Sequence, residues 1–349
     1  MPEPRVPSGV IIRSAGVELP ERVVTSAEIE RRAQISERFG HPPGWLERTS
    51  GVTERRWAEG DVQPSQLAAA AARDALKRAG LRADSVDTVL FCGITRDFME
   101  PAVANVVAEA VGARSARCFD LSNACNGLAD GLDVADSLVR TGKAHRVLVT
   151  TGERASLCVH WRPRDEAELR LAVASMMVGD GGGALLVEAS ADPGRGLVGR
   201  AFRSDPTQWR IATGGRFRPS QACKECGSVL EMPFVCDGRE LFRAGFALVP
   251  PTFEAAMQLS GWAYDELDLV FCHEASRRFV EHGTREMGDR PHPGPKLWST
   301  VGRFGNTSTL SLALGIAEAL EAGALHEGAR VLLLAGAAGV SAAAVTLVW

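Results

Sequence analysis

No stretch of this 349-residue chain reaches about 18 apolar residues without a charge or a break, so no transmembrane helix is expected. The opening residues, Met1 to Pro7, lack the apolar core of a secretion signal, and a cytoplasmic location with reduced thiols is the expectation. There is no long basic run, and the net charge is −4, which argues against nucleic acid as a partner. The metal-type pattern is incomplete too. Cys223-x-x-Cys226, with Cys236 ten residues on, lacks a clear fourth ligand, so no metal is expected and a loop of free thiols is the plain reading. What remains is ordinary for a globular protein, 45% hydrophobic and 23% charged, and too long for one simple core.

Cys125 is the residue that stands out. Cys118, Phe119 and Leu121 read as a short strand, Ser122, Asn123 and Ala124 as a turn, and Asn126 to Arg140 carries helical spacing. A cysteine at such a turn sits where unpaired N–H groups and the helix dipole favour a thiolate. Cys92, Cys118 and Cys272 lie instead in apolar runs that read as buried strands.

The chain also repeats itself. Residues 86–95 and 267–276 are matching strand runs, each following a helix that ends near a glycine, Gln66 to Ala79 before Gly80 and Pro251 to Ser260 before Gly261. Further on, Ser122–Cys125 leading to Arg146–Gly152 matches Gly305–Ser308 leading to Arg330–Gly336. Two βαβα units therefore follow one another, residues 1–190 and 191–349, joined by the turn-rich segment after Glu188. Strand–helix alternation implies an α/β fold with largely parallel sheets. By this correspondence Cys125, His273 and Asn306 all fall just after strands or at helix-opening turns, where ligands bind in parallel sheets.

A thiolate at Cys125 can take an acyl group from a thioester, and His273 and the Asn306 amide can donate hydrogen bonds to an enolate oxygen. Backbone N–H groups of Cys125 and of the Ala335–Gly339 turn could receive the oxyanion. Each residue has a plainer alternative: a structural cysteine, a histidine capping a helix, an N-cap asparagine.

The segments Pro43 to Arg56, Ser122 to Cys125, Val178 to Gly181, His273 to Ser276 and Phe304 to Ser308 span nearly the whole chain. In these the chain resembles the ketoacyl synthase III branch of the thiolase superfamily. The resemblance implies a five-layered αβαβα thiolase fold of two pseudo-duplicated halves, a Cys125–His273–Asn306 triad, a homodimer, and acyl-CoA or acyl-carrier-protein thioesters as substrates, with no tightly bound cofactor. Thr95 to Ala104 followed by Phe119 to Cys125 is similar to OleA-type enzymes, which condense two acyl thioesters head to head without decarboxylation. There the glutamate of a Glu-Pro pair reaches the partner subunit's site as a base, which implies that role for Glu100; the alternative is a surface carboxylate at a helix start.

Where the family often has His-Gln, this chain has His273-Glu274, whose charge could raise the histidine's pKa. Gly339 is by position the second oxyanion donor. Trp45 could stack on an adenine, and Arg48 stands one place out of register with an arginine that often meets the CoA nucleotide. Arg162, Arg164, Arg210, Arg216 and Arg218 read as solvated loop residues, with phosphate or a carrier protein as the alternative. The expected activity is Claisen condensation of two acyl thioesters through acyl-Cys125. The rivals are decarboxylative extension with a malonyl thioester, acyl transfer to an alcohol or amine, and a non-catalytic accessory subunit.

Overall fold

The computed structural model describes residues 9–219, 228–287 and 296–349. Two sheets carry the chain. The first contains β1 (Gly9–Glu18), β2 (Thr88–Phe91), β3 (Arg117–Asp120), β4 (Arg146–Glu153) and β5 (Gly181–Ser190), in the order β1-β5-β4-β2-β3. The second contains β6 (Gly196–Ser204), β7 (Leu269–Cys272), β8 (Arg330–Ala337) and β9 (Ser341–Val348), in the order β7-β8-β9-β6. The correspondence is strand for strand: β6, β9, β8 and β7 repeat β1, β5, β4 and β2. The turn between Ser190 and Gly196 passes from one sheet to the other.

The sheets are mixed, which corrects the expectation of largely parallel ones. β2 runs parallel to β3 and β4, and β7 to β8, but β1–β5, β4–β5, β8–β9 and β9–β6 are antiparallel. For β8 and β9 the physical reason is connection length. β8 and β9 are joined by the three residues Ala338 to Val340, and a short turn can only bring the next strand back antiparallel.

Helices α1 (Pro64–Ala79) and α2 (Val103–Val111) cover the outer face of the first sheet. Between the sheets lie α3 (Gly127–Arg140) and α8 (Ser311–Glu321), wholly buried along their apolar stripes against Val149, Leu185, Leu333 and Val345. The outer face of the second sheet packs on the C-terminal part of α5 (Gly238–Ser260), through Phe253, Ala256 and Met257. Those are the five layers. α4 (Glu166–Met176), α6 (Arg277–Met287) and α7 (Val301–Phe304) sit on the excursions that surround the site.

Two helix boundaries differ from the sequence reading. α1 begins two residues earlier, at Pro64, because Gln66 Oε1 reaches back to accept the Gln63 N–H at 2.7 Å and proline is tolerated in a first turn. α5 begins at Gly238 rather than Pro251. Pro250 and Pro251 look like a helix start but lie inside the helix, and Asp237 caps the true start by accepting from Arg239 and Glu240 N–H.

Candidate active site

The β3–α3 connection delivers Cys125. Its sharpness shows in Ala124, a non-glycine residue held at φ 46°, a conformation that costs on the order of 1 kcal/mol. Asn126 caps α3, its N–H donating to Asn123 O at 3.0 Å, while Gly127 N–H donates to Ala124 O at 3.1 Å. Across from it, Ser308 is also left-handed, at φ 54°, and its Oγ lies 3.8 Å from Cys125 Sγ. Equivalent turns of the two halves thus meet at the sulfur.

His273 follows β7 and extends its pairing, its N–H donating to Leu334 O at 2.8 Å. The ring is buried, with Nδ1 2.9 Å from Ser311 Oγ. Ser311 spends its own proton on Ser308 O at 2.6 Å, so its oxygen accepts and Nδ1 carries the hydrogen. That assignment leaves Nε2 as a bare acceptor. Burial lowers the imidazole's pKa to about 4, so it is neutral at ordinary pH. The expected upward push from Glu274 does not occur. Its carboxylate is turned away, accepting from Ser299 Oγ at 2.7 Å and from Thr300 N–H at 2.8 Å, where it caps α7.

Asn306 comes off the end of α7 and is pinned by its backbone, N–H to Met177 O and C=O to Gly179 N–H, both 2.9 Å. This close crossing of two loops explains two glycines. A Cβ on Gly179 would lie 2.2 Å from Phe304 O, and one on Gly305, at φ 68°, 2.3 Å from Met177 O. The Asn306 Oδ1 accepts Ser308 N–H at 2.9 Å, which leaves the Nδ2 hydrogens as the free donors.

Cys125, His273, Asn306 and Gly339 line one cavity of about 770 Å³, otherwise walled largely by apolar side chains such as Trp209, Phe234, Phe242 and Phe279. The sulfur is not the resting thiolate expected from the helix dipole. Burial pushes its pKa up to about 12, and this desolvation outweighs the turn's N–H groups. With the imidazole's pKa lowered, the resting proton belongs on sulfur.

Glu153 was missed by sequence reasoning. It ends β4 inside the cavity wall, fully buried, and accepts from Ile94 N–H, Thr95 N–H, Thr95 Oγ and Thr309 Oγ at 2.9, 3.2, 3.0 and 2.5 Å. Burial raises its pKa, and its four donors hold the β2 exit loop against the start of α8. The available signal was a charge closing an apolar strand at its carboxyl end. Cys158, Cys236 and Cys272 also line the cavity, and Cys223 and Cys226 lie outside the described residues. Among the described residues no cluster could hold a metal, and no helix is long and apolar enough to cross a membrane.

The other expected site residues are not in the cavity wall. Trp45 stacks on His41, ring centroids 4.3 Å apart, and Arg48 donates to Pro43 O at 2.9 Å. Arg164 pairs with Glu168, and Arg210 lies over Trp209, while the Arg216 and Arg218 side chains lie outside the described residues. Glu100 is exposed. Its loop is tied down by Asp97, which accepts from Ser65 N–H, and by Asp120, which accepts from Arg96 and from Val103 N–H. Phe98 and Met99 of that loop line the cavity; Glu100 does not.

A sequence model described as 3-oxoacyl-[acyl-carrier-protein] synthase III matches residues 119–206, and its C-terminal counterpart matches 257–349. The β-ketoacyl-[acyl-carrier-protein] synthase III of Roseiflexus sp. (strain RS-1) is 32% identical over 337 residues, covering 96% of each chain. That of Sinorhizobium medicae is 30% identical, covering 97% of this chain and 99% of its own. Among solved structures, cerulenin-bound OleA of Xanthomonas campestris superposes with a TM-score of 0.87 at 28% identity, covering 99% of this chain and 98% of that one. Other OleA structures carry a single replaced cysteine, glutamate or histidine. The synthase III of Aquifex aeolicus VF5 gives 0.82 at 26% identity, covering 98% and 100%.

Proposed function

The chain belongs to the β-ketoacyl-[acyl-carrier-protein] synthase III family of thiolase-fold condensing enzymes, and from that premise we propose that it joins two acyl thioesters head to head without decarboxylation. Cys125 attacks the first thioester. Its proton passes to His273 Nε2, held ready by the Ser311 bond to Nδ1, and then to the departing thiol. The N–H groups of Cys125 and Gly339 receive the oxyanion. A base then removes an α-proton from the second thioester. The enolate oxygen takes a hydrogen bond from Asn306 Nδ2, and the enolate carbon attacks the acyl-enzyme, breaking its C–S bond; the expelled Cys125 sulfur takes up the proton that the base removed. One thiol is released for each β-ketoacyl thioester formed.

Glu100 is the proposed base, acting in the cavity of a second copy. It is exposed and outside its own cavity, yet directly follows Phe98 and Met99, which line it, so its use requires a homodimer. The observation that carries the non-decarboxylative reading is the charge of the cavity wall. Among the described residues its one cationic side chain is Arg96, already 2.7 Å from Asp120, and Glu153 is buried nearby. A malonyl carboxylate would be buried there without a counter-ion, which is costly; a plain acyl thioester would not. The carrier, CoA or acyl carrier protein, follows the family.

Incubation with acyl-CoA alone tests this. Free CoA and a β-keto product are expected. Product appearing only when malonyl-CoA is added would establish the decarboxylative reading instead.

A further inference from the structure

Asn126, beside the nucleophile, is almost completely buried, and its Nδ2 donates to Ser341 Oγ at 2.8 Å. Its Oδ1 has no protein partner among the described residues. Burying an amide with an acceptor unpaired is unfavourable, so the bond to Ser341 is bought at a cost that a methyl group here would avoid. What it joins is specific. Asn126 is the cap of α3, one residue past Cys125, and Ser341 opens β9, two residues past Gly339.

The turn that carries Gly339 is held at three points. Ser341 closes the strand ladder opposite Ala337. Val340 and Asp205 exchange backbone hydrogen bonds, Asp205 N–H to Val340 O at 2.8 Å and Val340 N–H to Asp205 O at 3.1 Å. Both of these anchors belong to the second half of the chain. The Asn126–Ser341 bond is the third, and it crosses to the first half. It spans 215 positions of sequence to tie the nucleophile turn to the Gly339 turn.

We infer that the Asn126–Ser341 hydrogen bond sets the separation of the Cys125 and Gly339 N–H groups, making both side chains positioning residues for the oxyanion of thioester attack. The inference rests on the acyl-enzyme reading above. Two donors stabilise one oxygen only if their spacing is held, and a displacement of about 1 Å at such a site costs on the order of 100-fold in rate.

The test compares two reactions of the same sulfur. Acyl transfer from acyl-CoA passes through an oxyanion. Alkylation by iodoacetamide does not: sulfur attacks the methylene carbon and iodide leaves. Asn126→Ala and Ser341→Ala should each slow acylation of Cys125 by about 10- to 100-fold, followed by intact mass, with the alkylation rate unchanged. The double variant should be no slower than the slower single one, and Ser341→Thr, which keeps the hydroxyl, should restore the rate. Acylation at the wild-type rate in both alanine variants overturns the inference. So does a matching fall in alkylation, which would mean that the pair supports the sulfur itself, and so do losses that add in the double variant. If wild-type protein is alkylated at Cys125 but takes no acyl group from any thioester, the acyl-enzyme reading fails and the inference falls with it.

Discussion

The two halves share an order of strands but not a division of labour, and the difference begins at one edge. In the first half the sheet is completed by β3, and the chain turns from it directly into Cys125 and α3. In the second half the corresponding edge shows, among the described residues, a single bridge, Leu297 to Val270. The residues after it curl into α7, capped by Glu274, and α7 hands over Asn306. The strand ends differ in the same way. β4 closes on buried Glu153, whereas its counterpart β8 closes on Ala337 and opens into the Gly339 turn. The first half places the sulfur, and the second places His273, Asn306 and Gly339 around the same cavity.

That contrast is broken most directly at its two inner-helix turns. Cys125→Ala should abolish both the acyl adduct and product; an adduct at Cys236 or Cys272, the second half's thiols in the cavity wall, at the native rate would remove the first half's role. Asn306→Ala should leave the acyl adduct intact and slow condensation by about 100- to 1,000-fold. Rapid-quench mass measurement with acyl-CoA separates the two steps. Equal loss in both would show that the halves do not divide the work as argued.

The buried carboxylates sharpen the comparison next. Glu153→Leu strands the N–H groups of Ile94 and Thr95, while the Thr95 and Thr309 hydroxyls keep Gly152 O and Thr151 Oγ, and should destabilise the fold by about 3 kcal/mol. Glu153→Gln keeps one acceptor and should cost about 1 kcal/mol. Urea midpoints at pH 7 measure both. A Leu variant within about 0.5 kcal/mol of wild type, the range of ordinary surface substitutions, would mean that Glu153 does not tie the halves together.

Much of this was legible beforehand because periodicity and turn chemistry are local. The Cys125 turn, α3 and the paired strand runs 86–95 and 267–276 declare themselves in apolar spacing and small residues. Glycines 179 and 305 mark a loop crossing whose reason appears only when Phe304 O and Met177 O are seen against them. What stayed hidden was non-local. The antiparallel return of β9 depends on its short connection, Ala338 to Val340, rather than on strand composition. The Asn126–Ser341 bond and the Glu153 cluster join residues more than fifty positions apart. The Cys125 pKa was misread in direction for the same reason: the dipole that favours a thiolate is local, whereas the desolvation that opposes it comes from burial in the folded site.

His273 supplies the last and smallest test. Its folded pKa of about 4 lies below the unfolded value of 6.5 because burial disfavours the charged ring. Between those values the unfolded chain binds the proton and the folded chain does not, so stability from this residue is full above pH 6.5 and is lost as pH falls through the window. From pH 7 to pH 5 the loss should be about 2 kcal/mol. Glu153, Asp180 and Glu274 work in the opposite sense, because burial raises their pKa values and acid favours their folded, protonated forms. The histidine's share must therefore be read as a difference. Urea unfolding of wild type and His273→Asn at both pH values should show the acid loss smaller in the variant by about that amount. Equal acid sensitivity in the two proteins would mean that the ring is not held neutral by burial, and that the second half does not offer Cys125 a bare Nε2 at rest.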